Sequence, residues 1–167
     1  NGYPVLSHVA FQLEKYRIEK IIVNLHYKPE KIMEFFGPKF LYMYEPKLLG
    51  TAGSIKAAFK FVSESDLIVQ NGDTLSNVDI FSMWRWHQMS GSKATILWDN
   101  DKCAGTMIFN RKYLDYLPDE GMIDDVFAKA KPTFFYQADL KWYDIGTPMK
   151  LELARKAYAR DANSTYN

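Results

Sequence analysis

The feature that most restricts how this chain can fold is a repeated switch between two apolar periodicities. Leu6, Val9, Ala10, Leu13 and Tyr16 recur at helical spacing and predict an amphipathic helix over residues 5–17. The β-branched run Ile21-Ile22-Val23 then suits a buried strand within residues 19–25. Pro29 sits in the first turn of a second helix, over 30–36, which Gly37-Pro38 stops. Residues 40–44 read as a strand, and a glycine loop at 50–53 leads into a helix with Ile55, Ala58, Phe59 and Val62 on one face. A strand at 67–70, a polar turn at Ser76-Asn77, a helix over 79–89 and a strand at 93–98 follow. Such alternation implies an α/β fold, Rossmann-like and three-layered (α/β/α), with a mainly parallel central sheet.

The second half is less regular. It predicts strands at 106–109 and 133–137 with a short helix over 123–129 between them. A further strand ends at Trp142-Tyr143-Asp144-Ile145-Gly146, and Thr147-Pro148 opens a closing helix over 149–159. No repeat or linker divides the chain, so one domain is expected over 1–160, followed by a polar, frayed tail at 161–167.

Composition narrows the partners. A formal charge of +1 gives no reason to expect nucleic acid or a membrane surface. No apolar run reaches membrane-spanning length. Cys103 is the lone cysteine, which excludes an internal disulfide or a cysteine-based zinc site and fits a reducing compartment, with the cytoplasm as the default. Aromatic residues are 16% of the chain but scattered, as core residues are. The chain opens at Asn1-Gly2-Tyr3-Pro4 without methionine and reads as though entered partway through a fold.

Open α/β sheets bind ligands beyond the carboxyl ends of their strands. Asp73, in Gln70-Asn71-Gly72-Asp73-Thr74, follows the apolar run Leu67-Ile68-Val69 and stands at such an end. Asp144 repeats the pattern before the last helix. Magnesium favours one or two carboxylates completed by phosphates and waters, so the pair suits Mg2+; each also reads as an ordinary turn carboxylate. Gly50-Thr51-Ala52-Gly53 is neither a Walker loop nor G-x-G-x-x-G, yet its small residues would let a ligand approach the backbone; a plain glycine-rich helix start has equal weight. His8, His26 and His87 lack metal-ligand spacing, His8 and His87 reading as packed or surface residues. No nucleophile elbow is present, and Cys103 has no activating partner in sequence. Asp124-Asp125 read as a solvated helix face that could instead receive sugar hydroxyls.

The ordered set of blocks resembles the sugar-phosphate nucleotidylyltransferase family. The blocks are Asn24-Leu25-His26-Tyr27-Lys28-Pro29, Leu48-Leu49-Gly50-Thr51-Ala52-Gly53, Asn71-Gly72-Asp73, Ala104-Gly105 before an apolar strand, Asp124-Asp125 and Asp144-Ile145-Gly146-Thr147-Pro148. The resemblance implies transfer of a nucleotidyl group from an NTP to a sugar 1-phosphate, giving an NDP-sugar and pyrophosphate. It implies nucleotide contacts from Leu49, Gly50, Thr51, Ala52, Gly53, Asn71 and Gly72. Asp73 and Asp144 would act as catalytic magnesium ligands, and Ala104, Gly105 and Asp124 would border the sugar. A homo-oligomer is left open, and the alternative is a non-catalytic regulatory subunit that binds a nucleotide or sugar nucleotide on the same fold. Two departures stand out. The family's opening strand and Gly-rich phosphate loop have no counterpart here, and residues 98–104 are short where the family carries further strands and a sugar-phosphate lysine. Omission of segments from a longer protein is the expectation.

Overall fold

Period-2 alternation along the two longest strands sets the architecture. The computed structural model describes residues 3–164, with side chains through residue 157; Asn1, Gly2 and the end of the expected tail, residues 165–167, lie outside the described residues. In chain order the elements are α1 (Val5–Lys15), β1 (Ile22–Leu25), α2 (Pro29–Phe36), β2 (Leu41–Tyr44), α3 (Gly50–Ala58), β3 (Asp66–Gln70) and β4 (Thr74–Ser76). There follow α4 (Ile80–Ser90), β5 (Ala94–Asp99), β6 (Lys102–Asn110), α5 (Ile123–Phe127), β7 (Thr133–Phe135), β8 (Trp142–Asp144) and α6 (Pro148–Ser164).

On β5 and β6, Ile96, Met107 and Phe109 point to one face, where Ala52 and Ile55 of α3, Ile123 and Val126 of α5, and Tyr113 complete a core. Leu97, Ala104 and Ile108 point to the other, against Val9 and Leu13 of α1 and Ile80 and Met83 of α4. One sheet thus buries apolar side chains on both faces under separate helix layers, as α/β patterning requires.

The principal sheet has the order β3-β6-β5-β7. β5 and β7 are parallel, and β6 is antiparallel to both β3 and β5, so three of the four strands run one way and β6 is reversed. The reversal comes from a tight hairpin: Asn100 and Asp101, both with positive φ (45° and 60°), join β5 to β6. Asx residues tolerate that conformation, and two such residues match the twist of paired strands. The short 98–104 stretch is therefore a closed two-residue turn, and β6 starts four residues before the predicted strand. β1 and β2 form a separate parallel pair.

β4 was not expected. It occupies the polar stretch read as a turn and forms by antiparallel pairing with β8, with Thr74 opposite Asp144. Asn77 fastens the pair from the side, donating through Nδ2 to Asp139 O (3.1 Å) and accepting from Lys141 N (2.8 Å). Long-range pairing of this kind has no local sequence signal. The last helix runs past the predicted end, through Ser164, into what was read as tail. No helix among the described residues is long and apolar enough to cross a membrane.

Candidate functional site

A cavity of about 1120 Å³ opens beside β1 and β3. Its wall is apolar where Val9 and Leu13 of α1, Val23 of β1, Ile55 of α3 and Leu67 and Val69 of β3 face it. Its polar lining comes from strand ends and the loops that follow them: Asn24, Glu45, Gly50, Thr51, Asn71, Gly72, Asp73 and Glu120. The carboxyl ends of β1, β2 and β3 thus reach one opening, the position at which open α/β sheets bind ligands.

Asp73 is exposed in the turn between β3 and β4. Its carbonyl accepts Ile145 N–H (2.9 Å), which locks this turn to the end of β8. Asp144 closes β8, and its Oδ1 accepts Gly146 N–H (2.9 Å) while Oδ2 accepts from Lys150 Nζ (2.5 Å). A β-carbon built at Gly146 would lie 3.2 Å from Asp73 Oδ2 and 3.3 Å from Asp144 Oδ1. The two carboxylates that the sequence singled out therefore converge. The Lys150 ammonium, seconded by the Gly146 amide, holds the Asp144 carboxyl below its ordinary range. Among the described residues no group of three or more His, Cys, Asp or Glu side chains could hold a metal ion. The chain alone offers two hard oxygen donors, which suits a cation such as magnesium that keeps several waters and takes its remaining ligands from phosphates.

The glycine block is part of α3 itself, not a loop before it. Gly50 begins the helix at φ 72°, and a β-carbon there would lie 2.5 Å from Gly121 O. Gly53 is equally tight against Asp119 O. Ala52 N–H donates to Gly121 O (3.0 Å) and Gly121 N–H to Leu49 O (2.8 Å), so the 119–121 loop clamps the start of α3. Much of the glycine requirement is therefore packing. Leu49, Gly50 and Thr51 line the cavity, whereas Ala52 and Gly53, also expected at the base, are buried behind it. Asn71 and Gly72 line the cavity beside Asp73.

The expected sugar residues divide. Ala104 is fully buried and Gly105 is packed at φ 82° against the Thr74 side chain, its carbonyl accepting Asn71 N–H (2.8 Å). They support the 71–74 turn from behind and expose no side chain to a sugar. Asp124 is exposed and lies close enough to Cys103 to add to the burial that pushes that thiol up. Such a cysteine is no nucleophile.

Sequence reasoning missed three contributors. Glu45 is buried at the end of β2, although the strand-end rule that selected Asp73 and Asp144 applies to it equally. Lys150 is found only through its contact with Asp144. The 119–121 loop had no signal except Gly121, whose φ is 149°. Among the histidines, His26 Nδ1 pairs with Glu45 O (2.8 Å), and His87 is buried with Nδ1 on Thr95 Oγ1 (2.7 Å).

No family model matches the chain. It is 36% identical over 89 residues to a D-glycero-alpha-D-manno-heptose 1-phosphate guanylyltransferase of Aneurinibacillus thermoaerophilus, covering 50% of this chain and 39% of that protein. It is 38% identical over 85 residues to the guanylyltransferase of the same name from Campylobacter jejuni, covering 48% and 38%. The chain thus spans about two fifths of the length of these relatives. In structure it is similar to HddC from Yersinia pseudotuberculosis, solved in complex with GMP-PN, at a TM-score of 0.79 and 24% identity over 94% of this chain and 86% of that one. It is also similar to the inositol-1-phosphate CTP transferase of T. maritima, at a TM-score of 0.63 and 14% identity over 87% and 78%. These structural likenesses establish the Rossmann-like fold. Over half its length the chain is thus similar in sequence to sugar 1-phosphate guanylyltransferases, and over nearly all of its length it shares the fold of these nucleotidyltransferase structures.

Proposed function

We propose that the protein of which this chain is the nucleotidyltransferase fold transfers a nucleotidyl group from an NTP to a sugar 1-phosphate. The products are an NDP-sugar and pyrophosphate. The observation that carries this reading is the convergence of Asp73 and Asp144 beside Gly146, on the rim of a cavity that also takes in the start of α3. The names of the relatives, which are sugar 1-phosphate guanylyltransferases, support the same reaction class.

In this reading an oxygen of the sugar phosphate attacks the α-phosphorus, and the bond to the bridging oxygen of pyrophosphate breaks. No side-chain nucleophile is needed, which suits a site whose polar groups are carboxylates and amides. Leu49, Gly50 and Thr51 bound the space for the base. Asp73 and Asp144 would hold magnesium, and the Lys150 ammonium favours the ionised form of Asp144. When bound, the ion neutralises phosphate charge and aligns the attacking and leaving oxygens. Asp124, at the start of α5, is the sugar-side residue that remains accessible. The chain's contribution is therefore positioning and charge, as in phosphoryl transfer generally. The lone cysteine is in keeping with a reducing compartment such as the cytoplasm.

The test is product identification. The full-length protein, incubated with magnesium, each common NTP and a panel of sugar 1-phosphates, forms an NDP-sugar detectable by mass spectrometry. Nucleotide binding without any product on the whole panel would instead favour the non-catalytic subunit.

A further inference from the structure

We propose that Lys150 holds the cation's place on Asp144 until a metal–polyphosphate complex enters, and then turns its ammonium to the phosphate. The inference rests on the nucleotidyl-transfer reading above and deepens it by naming the residue that governs how the metal is taken up. Lys150 Nζ lies 2.5 Å from Asp144 Oδ2, while Oδ1 of the same carboxylate accepts Gly146 N–H (2.9 Å). Both oxygens of Asp144 thus have protein partners. A metal ion gains Oδ2 only in exchange for the ammonium.

The place of Lys150 in the sequence argues against a merely structural pair. α6 starts at Pro148, and Thr147 caps it: its carbonyl accepts Leu151 N–H (2.9 Å) and its Oγ1 accepts Lys150 N–H (3.3 Å). Lys150 therefore sits in the first helical turn, where the helix dipole disfavours a cation and a glutamate or glutamine is preferred. No acid in that turn offsets it. The side chains of the pair are 46% and 41% exposed, and ion pairs so open to water contribute little to stability. A residue that opposes its own helix without a matching gain in stability is the mark of a functional site.

Charge says which form of the metal the arrangement favours. Asp73 and Asp144 converge beside Gly146, and Lys150 offsets one of their two negative charges. A bare divalent cation that takes Oδ2 leaves the ammonium unpaired at a helix start, which is unfavourable. A metal–polyphosphate complex brings surplus negative charge, so the displaced ammonium gains an acceptor in the same step. A flexible four-carbon stem with three rotatable donors suits that move. One ion pair is exchanged for another, and no covalent bond changes. Lys150 thus favours metal that arrives on phosphate over metal that arrives alone.

Mn2+ binding by the full-length protein, read by water-proton relaxation with and without inorganic tripolyphosphate, tests this independently of turnover. In Lys150→Gln, Mn2+ alone is expected to bind ~3-fold more tightly than in the wild type, the scale of a half-exposed ion pair. Tripolyphosphate titrated at saturating Mn2+ should bind ~10-fold more weakly to that variant, the worth of a hydrogen bond to a charged group. Lys150→Arg keeps the charge and should follow the wild type in both. Damage to the fold would weaken both affinities, so the opposite signs exclude it. Lys102→Gln removes an equal charge that acts on Asp144 only through space, and should move either affinity by less than ~2-fold. Unchanged or weaker Mn2+ binding in K150Q, unchanged tripolyphosphate binding, or a K102Q that matches K150Q would each overturn the role of Lys150 and leave the acid pair standing. No Mn2+ binding by the wild type in either condition would overturn the metal reading of Asp73 and Asp144 itself.

Discussion

Asp73 and Asp144 face a single point in space, the place where a β-carbon on Gly146 would stand, 3.2 Å from one carboxylate and 3.3 Å from the other. The register of β4 against β8, with Thr74 opposite Asp144, creates that meeting. Gly146→Ala therefore puts a methyl group between the two acids without demanding an unusual backbone. The variant is expected to keep its fold, with a stability change within about 0.5 kcal/mol as for a surface substitution. It should lose roughly tenfold in magnesium-dependent turnover, since a misplacement of even ~1 Å at a reacting centre costs more. Activity titrated against magnesium, beside a urea melt, checks both.

Asp73→Asn retains the shape of the side chain and removes its charge. Magnesium-dependent turnover is expected to fall by roughly 100-fold or more, the scale on which single electrostatic contributors act. The urea midpoint should stay within the range of a surface change, because Asp73 is exposed. Wild-type rates in this variant would remove Asp73 from the mechanism.

Gly50 and Gly53 carry a stability prediction. A β-carbon at Gly50 would collide with Gly121 O, at a φ of 72° that L residues rarely adopt, and one at Gly53 would collide with Asp119 O. Backbone cannot swing aside as a flexible side chain can, so each alanine substitution should destabilise by about 1–3 kcal/mol, the cost of overpacking. Chemical denaturation measures it. A change under 0.5 kcal/mol would mean that the clamp between α3 and the 119–121 loop yields.

His87 makes stability depend on pH. It is buried among Thr95, Asp66 and their partners: Nε2 lies 3.6 Å from Asp66 Oδ1, and Gln88 and Asn110 also donate to that carboxylate. Burial pulls the His87 pKa down, and Asp66 opposes this only in part. The unfolded chain then binds a proton first, near the ordinary value of ~6.5. Stability is complete above that pH and declines as pH falls toward the folded pKa. Urea midpoints measured from pH 7 to pH 5 should fall more steeply for the wild type than for His87→Gln. Equal slopes would contradict it.

The legible parts of this molecule were those written in local pattern. The helix of residues 5–15 and the strands at 22–25, 66–70 and 94–99 follow from apolar spacing, and each predicted helix and strand is present within a few residues. Asp73 and Asp144 were legible because each ends an apolar strand. Their convergence was not, since it depends on a three-residue pairing between stretches about seventy positions apart. Glu45 was legible by the same rule yet overlooked, because its strand ends in Tyr42-Met43-Tyr44 and carries no glycine turn. Ala52 and Gly53 read as ligand contacts because they are small, and Ala104 and Gly105 because of the family resemblance. In the structure Gly53 packs closely against Asp119 and Gly105 against Thr74, while Ala52 and Ala104 are part of the apolar core.

Pyrophosphate release by the full-length protein, followed with and without magnesium over paired NTPs and sugar 1-phosphates, tests the central claim most directly. The account predicts release that needs magnesium, one NTP and one sugar 1-phosphate class. A folded full-length protein that binds nucleotide but releases no pyrophosphate from any pair would contradict it.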